Sequence, residues 1–169
     1  MQEGLGYFWL FGIVAVVLSI VLGTLYHQRN KSMDHANAVY RNAANQATRA
    51  IQAANMQLGT LRFWLDCPQA APQEFDDMCH AVGRFEELYR EAETALQNAR
   101  DEYHAAYEIY VSGVHQQNFL FGGANDLSVF SLHKRAKALQ KIRVEATLED
   151  PALVLSRYYS MIAAYQAGA

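Results

Sequence analysis

Proline is nearly missing from this 169-residue chain, which holds only Pro68, Pro72 and Pro151. Because proline breaks helix interiors, residues 1–67 and 73–150 are left free to run as long helices. Cysteine is scarcer still: Cys67 and Cys79 are the whole complement. That excludes a disulfide-dense framework and the zinc modules built on closely spaced cysteine pairs. No Lys or Arg precedes Arg29. Overall, 14 basic against 17 acidic residues give a net charge of −3, and no reading motif accompanies it, so nucleic acid is not an expected partner. No glycine-rich phosphate loop, no serine or cysteine nucleophile in a catalytic context and no stretch read as a half-buried strand stands out. Neither a catalytic residue nor a cofactor is expected, and the chain is read as non-enzymatic.

What is present begins with Leu5–Tyr26, an uncharged apolar run followed at once by His27, Arg29 and Lys31. At ~1.5 Å per residue it covers the ~30 Å hydrocarbon layer as one helix. Tyr7, Phe8 and Trp9 at one end and Tyr26 at the other suit the headgroup boundaries. A cleaved signal peptide would need a basic n-region, a shorter apolar stretch and a small-x-small cleavage site, none of which occurs here. The reading is a single-pass anchor with a six-residue tail and boundary, residues 1–26 in all. Ala15, Ser19 and Gly23 at i, i+4 and i+8 form a small-residue face suited to close helix approach. The cationic residues just after the span place the following domain in the cytoplasm of a bacterial inner membrane, by the positive-inside bias.

Residues 27–169 then form one helical domain. Its first stripe is Tyr40, Ala44, Ala47, Ile51, Ala54, Leu58, Leu61, Leu65. Its second is Met78, Val82, Phe85, Tyr89, Ala92, Leu96, Ala99, Tyr103, Ala106, Tyr110, Gly113. Both alternate steps of four and three, the 3.5-residue period of coiled-coil packing. Pro68 and Pro72 interrupt them, and a short connection makes the neighbours antiparallel. The expected fold is therefore all-α: a transmembrane helix, a long coiled-coil hairpin over 27–114, and two shorter helices. Residues 27–66 carry five Lys/Arg and two Asp/Glu, whereas 74–108 carry three Arg and ten Asp/Glu. That opposition favours the pairing, with a solvated acidic face at Glu86, Glu87, Glu91 and Glu93 as the simpler account.

A membrane-proximal loop is expected over 115–125, with Phe119, Leu120 and Phe121 at the bilayer surface. Asn125 or Asp126 would cap a helix over 126–148, and Asp150-Pro151 would open a last one over 151–167. The third helix is basic, carrying Lys134, Arg135, Lys137, Lys141 and Arg143; Lys134, Lys137 and Lys141 share one face, and Leu132, Ala136, Leu139 and Ala146 share the opposite one. Lying near the bilayer plane, it would attract anionic headgroups at roughly 1 kcal/mol per residue, or else an acidic protein. The last helix is apolar and aromatic, and it requires a partner surface.

Two pairs resemble metal-bundle spacing, Asp77-x-x-His80 and Asp101-x-x-His104. Twenty-four residues of one helix separate them, roughly 36 Å, so no shared metal site is expected. Cys67 and Cys79 flank the turn and are candidates for a disulfide. Such a bond would imply an oxidising compartment and a periplasmic domain, against the charge bias. The functional expectation is a scaffold or accessory subunit acting through helix contacts, with other membrane subunits, a second copy or lipid headgroups as partners. The alternative is a tethered ligand- or metal-binding bundle with Tyr89, Tyr103, Tyr107 and Tyr110 lining a pocket.

Overall fold

The computed structural model describes the backbone of residues 3–121 and 126–168 and the side chains of 9–115 and 131–168. The chain is all-α, with a long hairpin of two helices, two shorter helices and no strand among the described residues. Helix α1 covers Glu3–Asp66 without a break. It ends where Pro68 forces a 3-10 turn over Pro68–Ala70; the last helical bond runs from the Cys67 amide to the Phe63 carbonyl at 2.8 Å. Helix α2, Phe75–Phe121, starts with Asp76 and Asp77 in its first turn, where carboxylates favour the positive end of the helix dipole. It continues past the expected stop at 114, because nothing between Gly113 and Gly122 breaks a helix. Residues 115–121 of the loop expected over 115–125 are therefore helical, and 122–125 lie outside the described residues. The side chains of Phe119, Leu120 and Phe121, the cap at Asn125 or Asp126, and Tyr7 and Phe8 lie outside the described residues.

The chain divides into two compact units. One comprises Tyr40–Glu102 and Ile142–Ala169. Within it α1 and α2 pack antiparallel through the two stripes: Ala44, Ala47, Ile51, Ala54 and Leu61 are fully buried, as are Phe85 and Ala92. Near the turn the core is Leu58, Leu61, Val82 and Phe85, closed by Val154 and Tyr158 of α4, Ala152–Gly168. Asp150 caps that helix by accepting the Ala152 amide at 3.0 Å. Val154 and Tyr158 thus find their partner surface within this unit, and Tyr165 stacks on Phe75 at 3.8 Å between ring centres, while Leu153, Tyr159 and Met161 stay exposed.

Further along, alanines narrow both helices, and the shallow groove they leave is filled by an extended strap over 142–151 instead of by helix. Val144, Ala146 and Leu148 pack on Ile51, Ala54 and Ala92. The third helix, α3, accordingly covers Asp126–Lys141 and not 126–148. The reason is visible in Ile142-Arg143-Val144-Glu145-Ala146-Thr147-Leu148-Glu149. Its apolar residues alternate with polar ones at the period of a strand, a pattern the sequence reading passed over. Its inner residues are half-buried and its outer ones exposed.

The other unit comprises Met1–Val39 and Tyr103–Lys141. Here α3 packs on both long helices, burying Leu132 and Leu139 with Met33 and Ala106. Gly113 faces Leu132 on one side: a Cβ there would lie 3.4 Å from Leu132 Cδ1, in ordinary van der Waals contact. Tyr26 of α1 meets Ser131, and Asp34 meets Arg135. That register makes α3 run alongside α1 rather than across it, so it does not lie flat against a bilayer that α1 would cross.

Candidate functional site

Three surfaces have chemistry to offer. The first is the N-terminal part of α1, which is long and apolar enough to cross a membrane, with a mean hydropathy of 2.3 over its most apolar 18 residues. None of that window is packed against the rest of the chain. Trp9, Leu10, Phe11 and Ile13 are each at least 60% exposed. Ala15, Ser19 and Gly23 are exposed among them. The Ser19 hydroxyl donates to the Ala15 carbonyl at 2.8 Å, which satisfies it inside the helix, and the space beside Gly23 is open.

The second is the basic stretch, which the structure divides. Lys134, Lys137 and Lys141 are exposed on α3. Arg135 instead turns inward: its Nε donates to Asp34 Oδ1 at 2.8 Å and its Nη2 to Oδ2 at 3.2 Å, a fork on one carboxylate. It also bonds Ser131, and its carbonyl accepts from buried Asn37. Arg143 is not on the helix at all, since it points outward from the strap. The cationic surface of α3 is thus three lysines, and Arg135 is a structural clamp between α3 and α1.

Lys134 and Lys137 border the third surface, a groove of about 730 Å³ between α2 and α3. Tyr103, Tyr107 and Tyr110 form one wall at helical spacing, with centroids 6.3 and 6.1 Å apart. His133, Lys134 and Lys137 form the other. The two walls are joined by a 2.6 Å hydrogen bond between the Tyr110 hydroxyl and His133 Nδ1. That bond engages Nδ1 and leaves Nε2 as the ring's second polar atom. Tyr89, expected beside these tyrosines, packs instead against the core near the turn. Burial, with the Glu93 and Asp150 charges, raises its pKa.

The remaining expected sites are placed apart. Cys67 and Cys79 are both free, the first exposed and the second partly buried. Cys67 caps the 3-10 turn in the connection, whereas Cys79 is already within the second turn of α2. Asp77, His80, Asp101 and His104 are all exposed on α2, and Asp101 accepts from Gln97 at 2.9 Å. Among the described residues no three His, Cys, Asp or Glu side chains converge in the manner of a metal site.

The groups that hold the strap were not among the sequence-derived candidates. Tyr40, Thr48, Asn55 and Arg62 recur every seven or eight residues on one face of α1. Tyr40 donates to the Ile142 carbonyl at 3.2 Å, and Thr48 accepts the Glu145 amide at 3.1 Å. Asn55 donates to the Thr147 carbonyl at 2.8 Å and accepts the Glu149 amide at 3.1 Å. Arg62 meets the Glu149 carboxylate at 3.3 Å. A polar residue every second helical turn was the available signal.

No protein-family model, curated protein or solved structure matches this chain.

Proposed function

We propose that this chain is a non-enzymatic, membrane-anchored helical scaffold or accessory subunit that works through contacts with other membrane subunits or a second copy of itself. The observation that carries this reading is the run of exposed apolar side chains from Trp9 to Leu25. A contiguous apolar surface of that length is an aggregation liability in water and the ordinary state in lipid. It belongs to the same uninterrupted helix that goes on to bury Met33. A helix without a lipid-facing or partner-facing role has no reason to remain apolar on every side. The small face of Ala15, Ser19 and Gly23 is where a second helix approaches most closely. Arg29, Lys31 and Arg41 favour a bacterial inner membrane with the domain in the cytoplasm.

The experiment has two readings. Alkaline carbonate extraction of native membranes should leave the chain in the pellet. Cysteines introduced singly at residues 69–73 in a background lacking Cys67 and Cys79 should resist an impermeant maleimide until the cells are permeabilised. Release by carbonate overturns the anchor, and labelling of intact cells overturns the side.

A further inference from the structure

We infer that the groove between α2 and α3 binds a small, water-soluble aromatic anion: a planar ring system carrying a phosphate or carboxylate. The argument begins with charge. Lys134 and Lys137, one turn apart on α3, form no ion pair among the described residues, and no carboxylate lines the groove beside them. Elsewhere the same helix does pair its cation, since Arg135 forks onto Asp34. Two ammonium groups lining one concavity, with no carboxylate partner among the described residues, favour an anion there.

The opposite wall sets the rest of the ligand. Tyr103, Tyr107 and Tyr110 present a ladder of rings, and Tyr107 is 46% exposed although it sits in a concave surface. Aromatic faces recruit planar rings by stacking and edge contacts. His133 adds direction: with Nδ1 engaged by Tyr110, Nε2 is the ring nitrogen left to meet a ligand. A groove of about 730 Å³ falls within the ~300–1,000 Å³ of sites for small organic ligands.

A lipid headgroup is the other source of an anion, and position argues against it. With the span ending at Tyr26, beside Ser131, the level of Asp34 and Arg135 lies eight residues further along α1, about 12 Å at ~1.5 Å per residue. Headgroups occupy only about 5–7 Å beyond the hydrocarbon edge. The backbones of Lys134 and Lys137 therefore lie at or beyond the outer edge of the headgroup layer.

The test uses the full chain in nanodiscs of zwitterionic lipid, with saturation-transfer NMR and calorimetry. The probes are adenosine monophosphate, uridine monophosphate, indole-3-acetate and naphthoate, with adenosine and inorganic phosphate as controls. At least one aromatic anion should bind about tenfold tighter than either control. The double variant Lys134→Glu/Lys137→Glu should weaken it about tenfold or more, and Tyr107→Ala several-fold. Lys134→Arg/Lys137→Arg should retain binding, which guards against misfolding as the cause of a loss. The proposal is overturned if no probe binds below about 1 mM, if the variants bind like the parent, or if anionic lipid in the nanodisc displaces the probe. None of these outcomes bears on carbonate extraction, so the anchor stands or falls separately.

Discussion

Tyr158 of α4 donates its hydroxyl to the backbone carbonyl of Leu61 across 2.8 Å, inside the core near the turn. That single bond joins the last helix to α1 at a place where both side chains are buried. Burial raises the Tyr158 pKa above the ordinary phenol value, because a phenolate there would be desolvated.

The pH consequence follows from the sign of that shift. A folded pKa above the unfolded one gives stability that is complete below pH ~10 and is lost as pH rises towards the folded value. Stability should therefore fall above pH ~10, and Tyr158→Phe should flatten part of that fall while costing about 1 kcal/mol at neutral pH. Denaturant melts at pH 7 and pH 11 measure both effects. An unchanged alkaline slope in the variant overturns the assignment.

Asn55 and Thr48 hold separate parts of the strap, so their loss should be local. In Asn55→Ala the Glu149 amide should exchange with solvent about five- to tenfold faster, given a hydrogen bond near 1–1.5 kcal/mol. The Glu145 amide, held by Thr48, should stay protected. Hydrogen exchange resolved by residue reads the contrast, and equal acceleration at both amides would mean the strap opens as one piece.

The seam is tested by charge. Ile51 is fully buried, and Ile51→Asp should cost about 3–5 kcal/mol, the penalty for an uncompensated buried ion. Met56, 73% exposed on the same helix, should tolerate Asp within about 0.5 kcal/mol. Chemical denaturation of the two variants supplies the comparison.

A scaffold loses its role through surfaces and not through acid–base groups. Asp77, His80, Asp101 and His104 replaced singly should leave cellular activity nearly intact, whereas a catalytic acid or base would cost about 10²–10⁴-fold. Ser19→Leu or Gly23→Leu should instead reduce co-purification of partners from native membranes. Abolition of function by one of the four polar changes, with partners still bound, would require an active site.

Much of this fold was legible because coiled-coil stripes announce themselves over many turns. Seven of the eight residues from Tyr40 to Leu65 are buried, and Pro68 stops α1 where its chemistry dictates. The strap escaped because it follows a helix without proline or glycine between them. Only the two-residue period from Ile142 to Leu148 and the polar face of α1 distinguish it from continued helix. The groove was half legible: Tyr103, Tyr107 and Tyr110 were evident as a row, but their meeting with His133 and Lys137 depends on how α3 packs, which local pattern does not encode. Arg135 read as surface charge because its acceptor, Asp34, lies 101 residues away.

The unbroken course of α1 gives the anchor a mechanical character. A span joined to its domain through a flexible linker lets the domain swivel freely, and nothing done to the span is felt beyond it. Here no proline, loop or turn intervenes between Leu25 and Met33. Arg135 and Ser131 bolt α3 to that same shaft at Asp34 and Tyr26. If residues 9–25 cross a bilayer as proposed, tilting or rotating that segment would carry α3 with it, and the lysines of α3 would move through an arc set by the segment's own angle.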